Sequence, residues 1–218
     1  MTATARKIEA AATRLNFGCG AKEILDGFVN MDICSYPGVD AVCDVRDYAA
    51  LLAHFQPGTL TEIYSSHVME HFTGYDSLKV AQNLWDLAAP GCEWYVKVPH
   101  GRSDHYLRDP DHKRPFVRST FYSFCQPYYE RCTVPVEDGS VDPDMMYRGD
   151  WQVDTIAYVP EDDELELARA DPAKWLKERA WKLNNCVFEM HALLRCVKPA
   201  RERLDRLCDK VAFKVVTE

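Results

Sequence analysis

The short apolar run Leu15-Asn16-Phe17 breaks at Gly18-Cys19-Gly20, and this break constrains the fold more than any other stretch. Two glycines spaced Gly-x-Gly let a backbone turn sharply at a strand end and approach a ligand without a Cβ in the way. A second apolar run, Val29-Asn30-Met31, then ends in the carboxylate of Asp32. In α/β nucleotide sites this is the arrangement that holds a ribose hydroxyl pair. The segment Ala21 to Gly27 supplies neither the third glycine nor the long helix that cradle a pyrophosphate. That argues against a dinucleotide, and taken alone the motif leaves an ordinary strand-to-turn junction open.

The following segments repeat one pattern. Strands are predicted at Val39 to Cys43, Glu62 to Ser66 and Cys92 to Pro99, with helices at Tyr48 to His54 and Asp76 to Ala88. The second helix rests on an apolar stripe of Leu78, Ala81, Leu84, Trp85 and Ala88 and is expected to stop at Pro90-Gly91. The last strand places Trp94, Val96 and Val98 on one side and Tyr95 and Lys97 on the other. An alanine-rich helix from Thr2 to Ala12 is expected before the first strand, covering the ligand. Strand and helix in alternation predict a parallel sheet, whose ligands lie beyond the carboxyl ends of the strands. Further on, Trp151 to Val159 and Val187 to Val197 alternate as strands, with a helix between them from about Pro172 to Leu183. Leu204, Leu207, Val211 and Val215 then suggest a closing helix, with a short strand at Val211 to Val216 as the alternative.

Five pieces stand in register: Leu-Asn-Phe-Gly-Cys-Gly at 15–20, Asn-Met-Asp at 30–32, Asp44-Val45, His67-Val68-Met69-Glu70-His71, and Ala89-Pro90-Gly91 ahead of a strand. Together they resemble the class I S-adenosylmethionine-dependent methyltransferases of the small stand-alone type, well from Leu15 to Pro99. The likeness is looser through Asp109 to Phe116 and Leu193 to Pro199. It implies an α/β, Rossmann-like, seven-stranded and mostly parallel sheet with helices on both faces and an antiparallel last strand, here Val187 to Val197. It implies S-adenosyl-L-methionine as cofactor, held by Asn16, Phe17, Gly18, Cys19, Gly20, Asp32, Ile33, Asp44, Val45, Ser66 and His67. Asp32 would take the ribose hydroxyls, and Asp44 with the Val45 amide would read adenine. The other role open to Asp44 or Asp47 is to cap the next helix. The cofactor carries no phosphate, so the missing third glycine is tolerable.

Size and charge bound the function. The 218 residues suit a single domain (1–218), with 100–150 as a lid or acceptor-binding excursion. A net charge of -8, from 26 Lys and Arg against 34 Asp and Glu, disfavours nonspecific binding to nucleic acid or an anionic membrane. No apolar run is long enough for a span, and the first residues lack the layout of a secretion signal, so a cytoplasmic protein is expected. Nine cysteines without a Cys-x-x-Cys argue against a disulfide framework or a zinc knuckle and read as buried thiols.

Past Pro99 the alternation stops in a polar segment holding His100, Arg102, Asp104, His105, Arg108, Asp109, Asp111 and His112. No pair with fixed ligand geometry stands out there, and no metal ligand is assigned. The segment is expected to be a loop over the active site. Basic residues outnumber acidic ones from His100 to Arg131, which suits a polar or anionic acceptor. The aromatic residues Phe116, Phe121, Tyr122, Phe124, Tyr128 and Tyr129 are expected mainly in the core. If the acceptor must lose a proton, the candidates are His100, then His112, then His67, with His71 more simply an anchor of its turn. The resemblance thus implies O- or N-methylation of a small-molecule acceptor, with a homo-oligomer left open. The alternatives are a relative using the same cofactor for another reaction, such as cyclisation, and a metal-dependent hydrolase built on residues 100–112.

Overall fold

A computed structural model describes residues 13–129, 147–202 and 210–217. The predicted helix Thr2 to Ala12 lies outside these residues, as does most of the excursion from Val134 to Asp150. Eight strands form one sheet: β1 (Arg14–Phe17), β2 (Val29–Asp32), β3 (Ala41–Val42), β4 (Leu60–Ser66), β5 (Ala88–Pro99), β6 (Trp151–Pro160), β7 (Val187–Cys196) and β8 (Ala212–Val215). Their order is β3-β2-β1-β4-β5-β7-β6-β8. All neighbouring pairs run parallel except those made by β7, which is antiparallel to both β5 and β6.

This is the Rossmann-like α/β sheet expected, with one correction: it has eight strands, not seven. The extra strand is β8, where the alternative of a terminal strand holds from Ala212 to Val215 in place of a closing helix. It pairs with β6, from Thr155↔Ala212 to Tyr158↔Val215, and so becomes the sheet edge. The remainder of the proposed helix, Leu204 and Leu207, lies outside the described residues.

Helix α1 (Tyr48–Leu51) is capped by Asp47, whose carboxylate accepts from the Ala50 amide. Helix α2 (Gly74–Leu87) starts at the Thr73 cap and buries Val80, Ala81, Leu84 and Leu87. It hands over directly to β5, so Pro90-Gly91 lies within that strand rather than ending the helix. Trp94 is the hub of the core: it packs against Phe17 at 6.1 Å, Phe124 at 5.9 Å and Trp151 at 5.3 Å between ring centroids. The indole nitrogens of Trp94 and Trp151 are satisfied, Trp94 donating to Ser65 Oγ and Trp151 to the Ala81 carbonyl of α2.

The segment after β5 contains three short helices, α3 (Asp104–Leu107), α4 (Arg118–Tyr122) and α5 (Gln126–Tyr129). Phe116, Phe121 and Phe124 are fully buried in the core, as their aromatic character suggested, so this stretch builds the body of the domain over those residues. Beyond β6, α6 (Leu165–Ala170), α7 (Pro172–Trp175) and a π-helical turn at Leu176–Ala180 lead back to β7. Asp150, fully buried, is gripped by Arg201, with Nε to Oδ2 at 2.7 Å and Nη2 to Oδ1 at 2.8 Å, which ties the start of β6 to the chain after β7. Six of the seven cysteines among the described residues are buried.

Candidate active site

The turn after β1 is shaped by backbone that only glycine adopts easily, with φ +67° at Gly18 and +53° at Gly20. The two glycines serve differently. A Cβ on Gly18 would stand 2.1 Å from Cγ2 of Val68, whereas one on Gly20 would meet nothing within 4 Å. Gly18 is therefore the contact between the β1 turn and the turn after β4. The Gly20 amide donates to Asp32 Oδ2 at 2.8 Å, and the Cys34 amide donates to Asp32 Oδ1 at 2.9 Å. The Asp32 carbonyl accepts from the Cys43 amide at 2.9 Å. Hydrogen bonds and packing thus join the carboxyl ends of β4, β1, β2 and β3 into one continuous edge.

The other residues expected at the cofactor take distinct places. Asn16 is buried and donates to Asn30 Oδ1 at 2.8 Å and to the Glu23 carbonyl, while Asn30 bonds Leu25 and Asp40. It shapes the loop that replaces a helix after β1. The Phe17 ring is core, leaving only its backbone to face the crevice. Cys19 is buried, and burial with the nearby Asp32 charge pushes its thiol up to about 11, so it stays protonated at neutral pH. Ile33 is exposed. Asp44 is gripped by the Arg46 fork, with Nη2 to Oδ2 at 2.7 Å, and this bonding holds its carboxyl below the usual range. Val45 is buried, with its carbonyl accepting from Asn83 Nδ2 at 3.0 Å. Ser66 is buried at the end of β4.

His67 follows with φ +53° and stands between two carboxylates, donating from Nε2 to Glu189 Oε2 at 2.6 Å and placing Nδ1 3.4 Å from Glu70 Oε1. Glu189 and then Glu70 raise its pKa to about 9, so at neutral pH it is a cation and not a free base. Burial alone would raise the pKa of Glu189, but the bonds from His191 and His67 bring it down to about 2. His191 Nε2 donates to Glu189 Oε1, and the Tyr95 hydroxyl donates to His191 Nδ1 at 2.7 Å. Tyr95 stacks on Tyr64 at 5.6 Å. Sequence reasoning missed Glu189 and His191. Their signal was present, since both fall on the polar side of the alternating stretch from Val187 to Val197.

The polar segment does not converge. His100, 4% exposed, lines a cavity of about 100 Å³ with Arg102, Arg118, Tyr158 and Trp181. Tyr158 pairs with Met190, next to Glu189, so this cavity opens on the face of the sheet opposite the His67–Glu189 pair. The residues that line it include none of the glycine edge. Burial, with the Arg102 charge, depresses the His100 pKa to about 4. His105 lies 3.6 Å from Glu161. His112 turns the other way, toward Glu70.

No protein-family model matches this sequence, and no curated protein does. Solved structures do. A SAM-dependent methyltransferase from Archaeoglobus fulgidus is similar with a TM-score of 0.55 at 15% identity, over 86% of this chain and 87% of that one. The YcgJ protein from Bacillus subtilis is similar with a TM-score of 0.50 at 11% identity, over 87% and 94%. The chain therefore shares a fold with SAM-dependent methyltransferases. Among the described residues, no helix is long and apolar enough to cross a membrane.

Proposed function

We propose that this protein is an S-adenosylmethionine-dependent methyltransferase that transfers a methyl group in line to oxygen or nitrogen of a small polar or anionic metabolite. One observation carries the reading. In a fold shared with such enzymes, the edge Val68–Gly18–Gly20–Asp32 brings bare backbone and a carboxylate together at the strand ends where this sheet type takes its ligands. The residues fit the cofactor. Asp32 uses one lone pair of each oxygen on a backbone amide, and its remaining lone pairs accept from ribose hydroxyls. Gly18 keeps the wall at Val68 free of a side chain. Asp44 and the backbone at Val45 lie next along the edge, on the adenine side.

The cofactor, when bound, supplies a methyl group activated by a sulfonium, so the protein's work is alignment and exclusion of water. His67, fixed by Glu189 and Glu70, closes the β4 end of the edge and holds its proton. The half-buried Tyr64, Tyr95 and Lys97 line the adjoining sheet surface, where hydroxyls and an ammonium suit a polar or anionic acceptor. The test is calorimetric titration of the protein with S-adenosylhomocysteine, followed by mass analysis of products from S-adenosylmethionine and a metabolite mixture. Saturable binding and a gain of one methyl by an acceptor are expected. Binding with a product cleaved or cyclised from the cofactor itself would replace transfer by the other reaction, and absence of binding would end the reading.

A further inference from the structure

Glu70 sits at the end of the His67-Val68-Met69-Glu70-His71 run, in a 3-10 turn (Met69–His71) directly after β4. It is fully buried, yet neither carboxylate oxygen has a hydrogen-bond partner. A bare carboxylate away from water costs several kcal/mol unless something positive neutralises it. What surrounds it is imidazole. His112 Nε2 lies 4.0 Å from Oε1, His67 Nδ1 3.4 Å from the same atom, and the His71 ring stands edge-on to the His112 ring at 4.9 Å between centroids. One ligand atom from each of Glu70, His71 and His112 lies within 4.8 Å of the others.

His112 is brought there by the backbone. The Glu70 carbonyl accepts from the amides of Lys113 at 2.8 Å and Arg114 at 3.1 Å, which fastens the distant segment onto this turn. The ring is then oriented: His112 Nδ1 donates to the Tyr106 carbonyl at 2.8 Å, and the Tyr106 ring stacks on it at 5.1 Å. A proton on Nδ1 leaves the Nε2 lone pair facing Glu70. That is the tautomer a metal ligand requires, held by the backbone contact that metal-bound histidines commonly make.

We propose that Glu70, His71 and His112 bind a divalent first-row transition ion at the carboxyl end of β4. Two imidazoles and a carboxylate suit manganese, iron(II), cobalt or zinc better than magnesium or calcium. Three ligands at about 2.1 Å from one ion must lie within about 4.2 Å of one another, so side-chain rotations that contract the present spacing complete the site. His67, bonded through Nε2 to Glu189, stays outside the coordination shell. Asp109, with Oδ2 3.8 Å from His112 Nε2, lies on the exposed side, where the ion keeps positions open. Because Val68 packs on Gly18, the ion stands at the same edge as the cofactor crevice, and an oxygen-bearing acceptor is the group it would position. This last step rests on the methyltransferase reading, but the metal site does not.

The experiment uses the full chain, stripped with a chelator and dialysed, and titrates Mn(II), Co(II) and Zn(II) separately by calorimetry. Cobalt is also followed through its visible absorption. One equivalent should bind, with a cobalt spectrum showing nitrogen and oxygen ligation, and His112→Ala and Glu70→Gln should each weaken binding at least about tenfold. Circular dichroism and S-adenosylhomocysteine affinity report whether each variant is folded. If Glu70→Gln fails to fold, His112→Gln carries the test alone. Absence of metal binding by the folded parent would overturn the proposal, as would binding that His112 variants leave unchanged. Metal binding without S-adenosylhomocysteine binding would keep the ion and remove the acceptor role. Cofactor binding without metal binding would overturn the ion and leave the methyltransferase reading standing.

Discussion

Replacing Gly18 with alanine tests whether the turns after β1 and β4 are packed together. At φ +67° an alanine costs about 1–2 kcal/mol in backbone conformation alone. Its Cβ would also stand 2.1 Å from Cγ2 and 2.9 Å from Cγ1 of Val68, far inside ordinary contact. Relief of such an overlap typically costs about 1–3 kcal/mol more, for a total of about 2–5 kcal/mol. The steric part has a specific remedy. Val68→Ala deletes both offending methyls and leaves the Val68 Cβ as the nearest atom, at 3.1 Å. The double variant should therefore recover about 1–3 kcal/mol relative to the sum of the two single changes, a coupling that urea unfolding resolves in a double-mutant cycle. The conformational part should persist, so the double variant should remain below Val68→Ala in stability. S-adenosylhomocysteine affinity should fall in Gly18→Ala and partly return in the double variant. Additive energies would refute the packing argument. So would a Gly18→Ala protein as stable as the parent.

Asp32→Asn removes the charge from the carboxylate that anchors Gly20, and calorimetry should show S-adenosylhomocysteine binding weaker by about 1.5–3 kcal/mol, or about ten- to a hundredfold. Asp150→Ala strips the buried partner from Arg201, and denaturant unfolding should give a loss of about 3 kcal/mol. His100 stays neutral in the folded protein down to about 4 against 6.5 when unfolded, so between these values the unfolded chain binds the extra proton. Stability is thus lost as pH falls through this window, by about 2 kcal/mol at about pH 5, and His100→Leu should flatten that part of the acid slope in urea titrations. Identical slopes in parent and variant would count against a buried, proton-free ring.

The features legible in the sequence were those set by local chemistry. Glycines at 18 and 20 mark positive φ, alternation in Trp94 to Val98 marks a strand with one buried face, and the Ala81, Leu84 stripe marks a packed helix. Asp47 as a helix cap was also open to local reasoning, and the structure assigns it that bond. Local pattern was weaker where two elements compete for one residue. The segment Val211 to Val216 carries apolar residues at helical and strand spacing alike, and only an unfilled edge beside β6 makes it a strand.

The sequence places His100 first among the candidate bases, then His112, then His67, on position along the chain alone. Tertiary structure separates them: His100 turns into a cavity apart from the glycine edge, His67 is clamped as a cation by a glutamate far along the chain, and His112 is drawn to Glu70 by backbone bonds from Lys113 and Arg114. The physical reason is range. Backbone conformation and burial periodicity depend on near neighbours, so the sequence by itself determines the sheet and the glycine edge. The state of a proton or a lone pair depends on charges within a few ångströms in space, and only the folded chain decides which those are.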